Sequence, residues 1–113
     1  MHELSLAESL LQVIEDVARE QQFSRVKTVW LEIGKLACVE QESLRFFFDA
    51  VKADSVAQKA KLEIIGIAGK ARCENCHQNC GIETYYTACP YCGQYALKVT
   101  QGEEMRIKEL EVE

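Results

Sequence analysis

Four cysteines in two closely spaced pairs are the residues of this chain whose spacing best suits metal binding. Two residues separate the members of each pair, and twelve residues separate the pairs. A Cys-x-x-Cys turn directs two thiolates inward, so two such turns complete a tetrahedron of sulfur around one metal with no open position. A closed site of this kind is structural, and Zn²⁺ is its usual occupant. We therefore predict a zinc site formed by Cys73, Cys76, Cys89 and Cys92.

The sequence leaves an alternative metal open. The second turn, residues 89–93 with the sequence CPYCG, also resembles an iron-binding turn of rubredoxin, which would imply electron transfer. The first turn has His77 where the second has a glycine, so the resemblance is incomplete. A redox-active dithiol is a weaker interpretation, because two pairs at this separation have a simpler joint use in one metal site.

Three residues outside the two pairs need separate interpretations. Cys80 lies inside the metal loop and could compete for the metal, although the paired spacing favours the other four thiols. His77 follows a predicted ligand directly and is either a solvent-facing neighbour or an alternative ligand. Cys38 is distant in sequence, and we expect it to be a small buried apolar side chain.

The amino-terminal sequence Met1-His2-Glu3 offers a second set of metal ligands. An initiator methionine is removed when the next residue is small, and histidine is not, so we expect Met1 to stay. The terminal amine, the His2 amide nitrogen and the His2 imidazole can then form fused chelate rings, with Glu3 as a fourth ligand through its amide or carboxylate. Planar nitrogen ligands suit Ni(II) or Cu(II). A shallow, exposed site favours transfer of the metal over storage.

Hydrophobic periodicity predicts an α+β core to carry these ligands. Helices are predicted over 4–22 and 41–53, and strands over 26–36, 62–67 and 105–112. Ser5 and Glu8 form a capping-box pattern, which would place the first four residues outside the first helix.

The segment 70–100 differs from the rest of the chain. It contains five of the six cysteines, the only proline and all four tyrosines. Strand-like sequence resumes after it, so we predict an insertion between two strands of one core. The predicted organisation is a small sheet with two helices, formed by 1–69 and 101–113, and an inserted zinc-ribbon or rubredoxin-like domain over 70–100 with the four-cysteine site.

Composition and charge argue against several classes of function. The chain has 113 residues with 18 acidic and 13 basic side chains. This excess of negative charge argues against a protein whose main function is to bind the phosphate backbone of nucleic acids. We expect no membrane span and no secretory leader, and therefore a cytoplasmic protein. With only two histidines, acid–base catalysis has few groups to use, so we expect a metal carrier and no enzyme.

Several motifs together resemble the HypA/HybF family of hydrogenase-maturation nickel metallochaperones. The resemblance covers essentially the whole chain in order. It is carried by Met1–Leu6 (MHELSL), by Leu31–Leu36 (LEIGKL) followed by Val39, Leu44, Phe46 and Phe48, by the two cysteine turns, and by the ending Gly102–Glu113.

This resemblance implies specific ligands and partners. By this resemblance, nickel is bound by Met1, His2 and Glu3 in the α/β domain, and structural zinc is bound by the four paired cysteines of the insertion. Members deliver Ni(II), together with the GTPase HypB, to the precursor of the [NiFe]-hydrogenase large subunit. Some also serve urease, which would add urease accessory proteins to the partners of a monomer or homodimer. Many relatives have a histidine after both turns, but here Gly93 follows the second, so sensing of pH or nickel by two histidines is in doubt.

A zinc ribbon that binds protein or nucleic acid without transferring nickel is the alternative function. The four tyrosines of the insertion could stack on bases. However, the insertion has Lys70, Arg72 and Lys98 against Glu74 and Glu83, with no basic stripe along the sequence.

Overall fold

The structure is a computed structural model that describes residues 3–113. Its elements are, in chain order, α1 (Glu3–Gln21), β1 (Val26–Gly34), a 3₁₀ turn (Lys35–Ala37), α2 (Gln41–Val51), β2 (Lys61–Ile67), β3 (Gly69–Cys73), β4 (Asn79–Ile82), β5 (Leu97–Gln101) and β6 (Met105–Val112). Two helices and two small sheets confirm the predicted α+β class. No helix of residues 3–113 is long and apolar enough to cross a bilayer.

The first helix begins earlier than the capping-box pattern predicts. It starts at Glu3, so Ser5 lies within the helix and cannot be its N-cap residue. Glu3 and Leu4 are both good helix formers, and a carboxylate in the first turn interacts favourably with the helix dipole. The prediction that residues up to Leu4 lie outside the helix is therefore wrong for Glu3 and Leu4.

The first sheet has the strand order β2–β1–β6, so strands that precede and follow the segment 70–100 share it. In β1, Val29, Leu31 and Ile33 are buried at every second position, as a half-buried strand requires. Helices α1 and α2 pack against each other, and their buried faces include Ile14 and Phe48. These side chains form the larger apolar core.

The second sheet has the order β4–β3–β5, with both pairs antiparallel. Ala71 in β3 lies opposite Cys80 in β4 and Val99 in β5. The apolar core under this sheet is small: its cluster of buried side chains is Leu36, Ala71 and Ile82, and the partly buried side chains that pack on them are Cys80, Leu97 and Val99.

The chain separates into two compact units. The first contains the chain up to Leu31, Val39–Ile64 and Ile107–Glu113, and the second contains Glu32–Cys38 and Ile65–Arg106. The second unit includes all of the cysteine-rich segment 70–100. The boundaries at 70 and 100 stay a prediction about separate domains.

Close backbone contacts within the second unit require glycine. The N–H of Gly34 donates to the carbonyl of Glu104 at 2.7 Å, and the N–H of Leu36 donates to the carbonyl of Gly102 at 2.9 Å. A Cβ on Gly34 would lie 1.9 Å from the Gly102 carbonyl oxygen. Gly102 itself has φ of +113°, which side chains disfavour. These two glycines let the start and end of the second unit pair closely.

Candidate metal centre

The four paired cysteines come together in the second unit. Their sulfur atoms all lie within 4.8 Å of one another. The Sγ atoms of Cys73 and Cys92 are 3.6 Å apart, as are those of Cys76 and Cys89. Four sulfurs bound at 2.3 Å to a tetrahedral zinc ion would be separated by about 3.8 Å. The spacing of the thiols thus fits one tetrahedral metal.

The first turn begins at the last residue of β3. The N–H of Cys73 donates to the carbonyl of Gln78, and the N–H of His77 donates back to the carbonyl of Cys73, both at 2.9 Å. The N–H of Cys76 points at the Cys73 sulfur from 3.5 Å. These contacts close the turn and direct both sulfurs to the same side.

The second turn repeats the geometry of the first. The N–H of Cys89 donates to the carbonyl of Gln94 at 2.9 Å, and the N–H of Gly93 donates to the carbonyl of Cys89 at 2.8 Å. The two turns share the pattern Cys-x-x-Cys-x-Gln, over residues 73–78 and 89–94. This six-residue repeat is visible in the sequence, although the spacing of the cysteines alone does not indicate it.

The glutamines of the repeat act on the second cysteine of each turn. The backbone N–H of Gln78 hydrogen bonds to Cys76, and that of Gln94 hydrogen bonds to Cys92. An N–H donor stabilises a thiolate and fixes its orientation toward a metal. Because these donors are backbone groups, their contribution depends on the turn and does not require the glutamine side chain.

Further contacts shift the pKa values of Cys92 and Cys76 in opposite directions. The pKa of Cys92 is lowered to about 6, because the Asn75 side chain and the Gln94 N–H both donate to its sulfur. The Gln78 N–H lowers the pKa of Cys76, but desolvation and the neighbouring thiols outweigh it and raise that pKa to about 12. Metal binding to four thiolates must therefore release the Cys76 proton, which makes affinity fall with falling pH.

The remaining cysteines lie outside the cluster. Cys80 is in β4, where it packs on the small core. Burial raises the pKa of the Cys80 thiol, and the charges of Cys89 and Cys73 raise it further. Its sulfur is not among the four that cluster. Cys38 is exposed, so the prediction of a buried Cys38 is wrong. It ends the 3₁₀ turn with left-handed backbone, and its thiol donates to the carbonyl of Leu36 at 3.6 Å.

Among the other predicted metal ligands, the structure describes His77 and Glu3. His77 is exposed and is not among the residues of the cluster, which favours its interpretation as a solvent-facing neighbour. Met1 and His2 lie outside the described residues. Glu3, the third residue of the predicted nickel site, is the first residue of α1 and is half-buried.

The apolar core of the second unit is small for the length of chain that it must hold folded. Burial of a side chain such as Leu36 or Ile82 contributes about 1.5–3 kcal/mol. Fixing the backbone of each residue costs about 1–2 kcal/mol, and the second unit extends over Ile65–Arg106 and a further segment. A metal bound by the four clustered thiols would join two distant turns and supply folding free energy that this core lacks.

The chain is matched along residues 1–112 by the model of a family described as "HypA: Hydrogenase/urease nickel incorporation, metallochaperone, hypA". The chain belongs to this family. It is 56% identical to the hydrogenase maturation factor HypA of Azotobacter chroococcum mcd 1 and 52% identical to that of Azotobacter vinelandii, each over 113 residues that cover 100% of both chains.

Solved structures agree with the family assignment. The solution structure of the Ni metallochaperone HypA from Helicobacter pylori covers 99% of this chain with a TM-score of 0.74 and 27% identity, and 97% of that chain is matched. A second HypA solution structure gives a TM-score of 0.75, with 99% of this chain and 96% of that chain covered. The predicted resemblance is therefore confirmed. The family is one of nickel metallochaperones, so the chain is a maturation factor and not an enzyme.

Proposed function

We propose that this chain binds Ni(II) through Met1, His2 and Glu3 and delivers it to the precursor of the [NiFe]-hydrogenase large subunit. The observation that carries the proposal is the family match over residues 1–112, because the matched family incorporates nickel into hydrogenase or urease. The four-cysteine site has no open position, so a cargo metal needs ligands elsewhere. The amino terminus supplies the amine, amide and imidazole nitrogens that suit Ni(II).

The position of Glu3 supports this assignment. The first N–H groups of an α-helix have no partner within the helix, and Glu3 is the first residue of α1. Its amide is thus free of the helical hydrogen-bond ladder and available as a nickel ligand. The positive end of the helix dipole also favours the negative charge that remains on an amide nitrogen when nickel displaces its proton.

Zinc is the metal proposed for Cys73, Cys76, Cys89 and Cys92. The sulfur spacing fits a tetrahedral ion, and thiolate sets of this kind select zinc or iron. Zinc adds no redox chemistry, which suits a site whose work is to hold the second unit folded. Colour separates the two metals directly, because a ferric tetrathiolate is red and a zinc tetrathiolate is colourless.

The proposed partners are those of nickel delivery in the cytoplasm. The GTPase HypB would assist the transfer, and the hydrogenase large-subunit precursor would receive the metal. The relatives from both Azotobacter species are named hydrogenase maturation factors, which favours hydrogenase as the client. Urease accessory proteins are a second set of partners, because the family description includes urease.

Native mass spectrometry of untagged protein with one equivalent of Ni(II) tests the two metal sites together. We expect one zinc and one nickel per chain. His2→Ala, or one extra residue before Met1, should abolish nickel binding and leave zinc in place. His77→Ala is the matched control, because it removes the other histidine and should bind nickel normally. Unchanged nickel stoichiometry in His2→Ala would contradict the amino-terminal site.

Delivery needs a separate measurement. Nickel-loaded protein is mixed with HypB, GTP and the hydrogenase large-subunit precursor, and nickel in the precursor is counted after the proteins are separated. We expect transfer from the wild type and none from His2→Ala. Equal nickel in the precursor with and without this chain would contradict the role in delivery, whatever the result for binding.

A further inference from the structure

The strand β5 leaves one edge of the second sheet open. In the order β4–β3–β5, the strand β5 is terminal, and within residues 3–113 its one strand partner is β3. A terminal strand presents a row of backbone N–H and C=O groups that another chain can use. Lys98 stands in the centre of β5, and a central lysine disfavours pairing with an apolar or basic strand. A strand that carries carboxylates avoids this penalty.

An aromatic pocket lies along the inner face of β5. Its volume is about 310 Å³, and it is lined by Tyr85, Tyr86, Thr87, Tyr95, Leu97 and Val99. The rings of Tyr86 and Tyr95 are 95% and 79% exposed. Tyr85 is held in place, because its hydroxyl donates a 2.7 Å hydrogen bond to Glu103. Exposed tyrosines beside a pocket are typical of the residues that carry binding energy in protein interfaces.

The outer face of the same sheet is cationic. Arg72 of β3 lies directly opposite Lys98 of β5, and Lys70 is two residues further along β3 on the same face. All three side chains are exposed. Like charges that face each other across two strands repel. Within the described part of the chain, no ion pair involves any of these three, although Glu74 and Glu83 follow the ends of β3 and β4.

We propose that the open edge of β5 binds an extended acidic segment of a partner protein, which adds a strand to the second sheet. Successive side chains of a strand point to opposite faces. One set of alternate side chains would therefore enter the tyrosine pocket, and the other set would lie beside Lys98, with the charge of Arg72 one strand further away. The segment that fits is one in which aromatic or aliphatic residues alternate with Asp or Glu. Main-chain hydrogen bonds would supply affinity and the two faces would supply specificity.

The charge distribution favours an acidic protein segment over nucleic acid. The second unit has five acidic and five basic residues and thus no net charge. A long polyanion carries charge well beyond the reach of three cations, so this face is too short to bind it strongly. A strand with a few carboxylates needs only the local cationic face. All the residues involved belong to Ile65–Arg106, so the proposal does not depend on nickel binding.

Selection from a displayed library of random decapeptides on the zinc-loaded full-length protein identifies the preferred sequence. We expect enriched peptides in which acidic residues alternate with aromatic or aliphatic ones. The best peptide is then synthesised with a fluorescent label, and its binding is followed by anisotropy. Enrichment of peptides without the alternation, no enrichment at all, or displacement of the peptide by a dT₂₀ oligonucleotide would overturn the proposal.

Matched variants test each face. Lys98→Glu should weaken peptide binding by about tenfold or more through charge repulsion. Tyr86→Ala should weaken it by about tenfold through loss of the pocket wall. Lys35→Glu makes the same charge change elsewhere in the second unit and should bind within about twofold of the wild type. If Lys98→Glu and Lys35→Glu weaken peptide binding equally, the effect comes from the net charge of the protein. That result would overturn the assignment of the peptide site to β5.

Methylation of the peptide backbone tests strand pairing itself. N-methyl groups on one set of alternate residues should abolish binding, because those N–H groups would donate to β5. The same groups on the other set should leave binding unchanged, because those N–H groups point away. Two methylated peptides that both bind like the parent would show that no strand is added.

Discussion

His77 and Gly93 occupy the same position in the two cysteine turns, and both have left-handed backbone, with φ of 65° and 77°. Each follows the second cysteine of its turn, and each donates its N–H to the carbonyl of the first. The turn thus dictates the left-handed conformation in both places. Glycine adopts it without a steric penalty, whereas a residue with a Cβ pays about 1–2 kcal/mol. The first turn therefore stores strain that the second does not.

We predict that His77→Gly stabilises the zinc-bound protein. Relief of the left-handed strain outweighs the extra chain entropy of glycine, so the free energy of unfolding should rise by about 0.5–1 kcal/mol. Gly93→Ala is the reciprocal control and should lower it by about 1 kcal/mol. Urea unfolding at a fixed zinc concentration measures both. A His77→Gly protein less stable than the wild type would assign the His77 side chain a stabilising contact.

The sequence predicts the long helices and strands whose apolar residues recur at a regular period and are buried. The alternation in β1 and the helical spacing of Leu44 and Phe48 reflect burial against a continuous core, and burial selects apolar residues at a regular period. The clustering of the four paired cysteines was also predictable, because two residues between cysteines is the spacing that one metal ion requires.

The short strands of the second unit follow a different physical rule. Strands β3, β4 and β5 have only four or five residues each, and β4 has the sequence NCGI. Burial alternates along β3 and β5, but four or five residues are too few for a period of two to stand out in the sequence. The cationic face was not predictable for a further reason. Arg72 and Lys98 are far apart in sequence and become neighbours only when β3 and β5 pair.

Thiol reactivity should distinguish Cys38 from Cys80. Cys38 is exposed, whereas Cys80 packs on the small core and its pKa is raised by burial and by the charges of Cys89 and Cys73. The thiolate is the reactive form, so a raised pKa and burial both slow alkylation. We predict that iodoacetamide modifies Cys38 at least about tenfold faster than Cys80 in zinc-bound protein. Mass spectrometry of tryptic peptides over time gives both rates.

The control for this prediction is Cys38→Ser, which should keep its zinc and lose the fast modification. Comparable rates at the two thiols in wild-type protein would mean that β4 opens readily. In that case the small core around Leu36 and Ile82 would not protect the inner face of the second sheet.

The hydrogen bond from Tyr85 to Glu103 should make stability depend on pH in the alkaline range. The pKa of Tyr85 is raised above its ordinary value of 10.0 by this hydrogen bond, by desolvation and by the charges of Glu103 and Cys38. A group whose pKa is raised on folding contributes stability that is present below its unfolded pKa and is lost as pH rises through its folded pKa. The wild type should therefore exceed Tyr85→Phe in Tm near neutral pH, by a margin that shrinks above about pH 10.

Thermal unfolding of both proteins between about pH 8 and pH 11 measures that margin. Comparing the two proteins at each pH cancels the titration of the other tyrosines and of the lysines. Glu103→Gln should reproduce most of the effect, because it removes the charge that raises the pKa of Tyr85. A margin that stays constant across this range would contradict a role for the Tyr85 proton.

The contact between Gly34 and Gly102 makes the clearest stability prediction. A Cβ on Gly34 would lie 1.9 Å from the Gly102 carbonyl oxygen and 2.7 Å from the Glu103 nitrogen, and these are backbone atoms that cannot turn aside as a side chain can. Gly34→Ala must therefore break the hydrogen bonds that join Gly34 to Glu104 and Leu36 to Gly102. We expect a loss of about 3 kcal/mol or more in the free energy of unfolding.

Gly66→Ala is the matched control, because a Cβ there would have no neighbour within 4 Å. It makes the same chemical change in β2 and should alter stability by less than about 0.5 kcal/mol. Urea unfolding followed by circular dichroism compares the two variants with the wild type. If Gly34→Ala unfolds at the same urea concentration as Gly66→Ala, the backbone segments at Gly34 and Gly102 can separate at little cost, and their pairing does not stabilise the second unit.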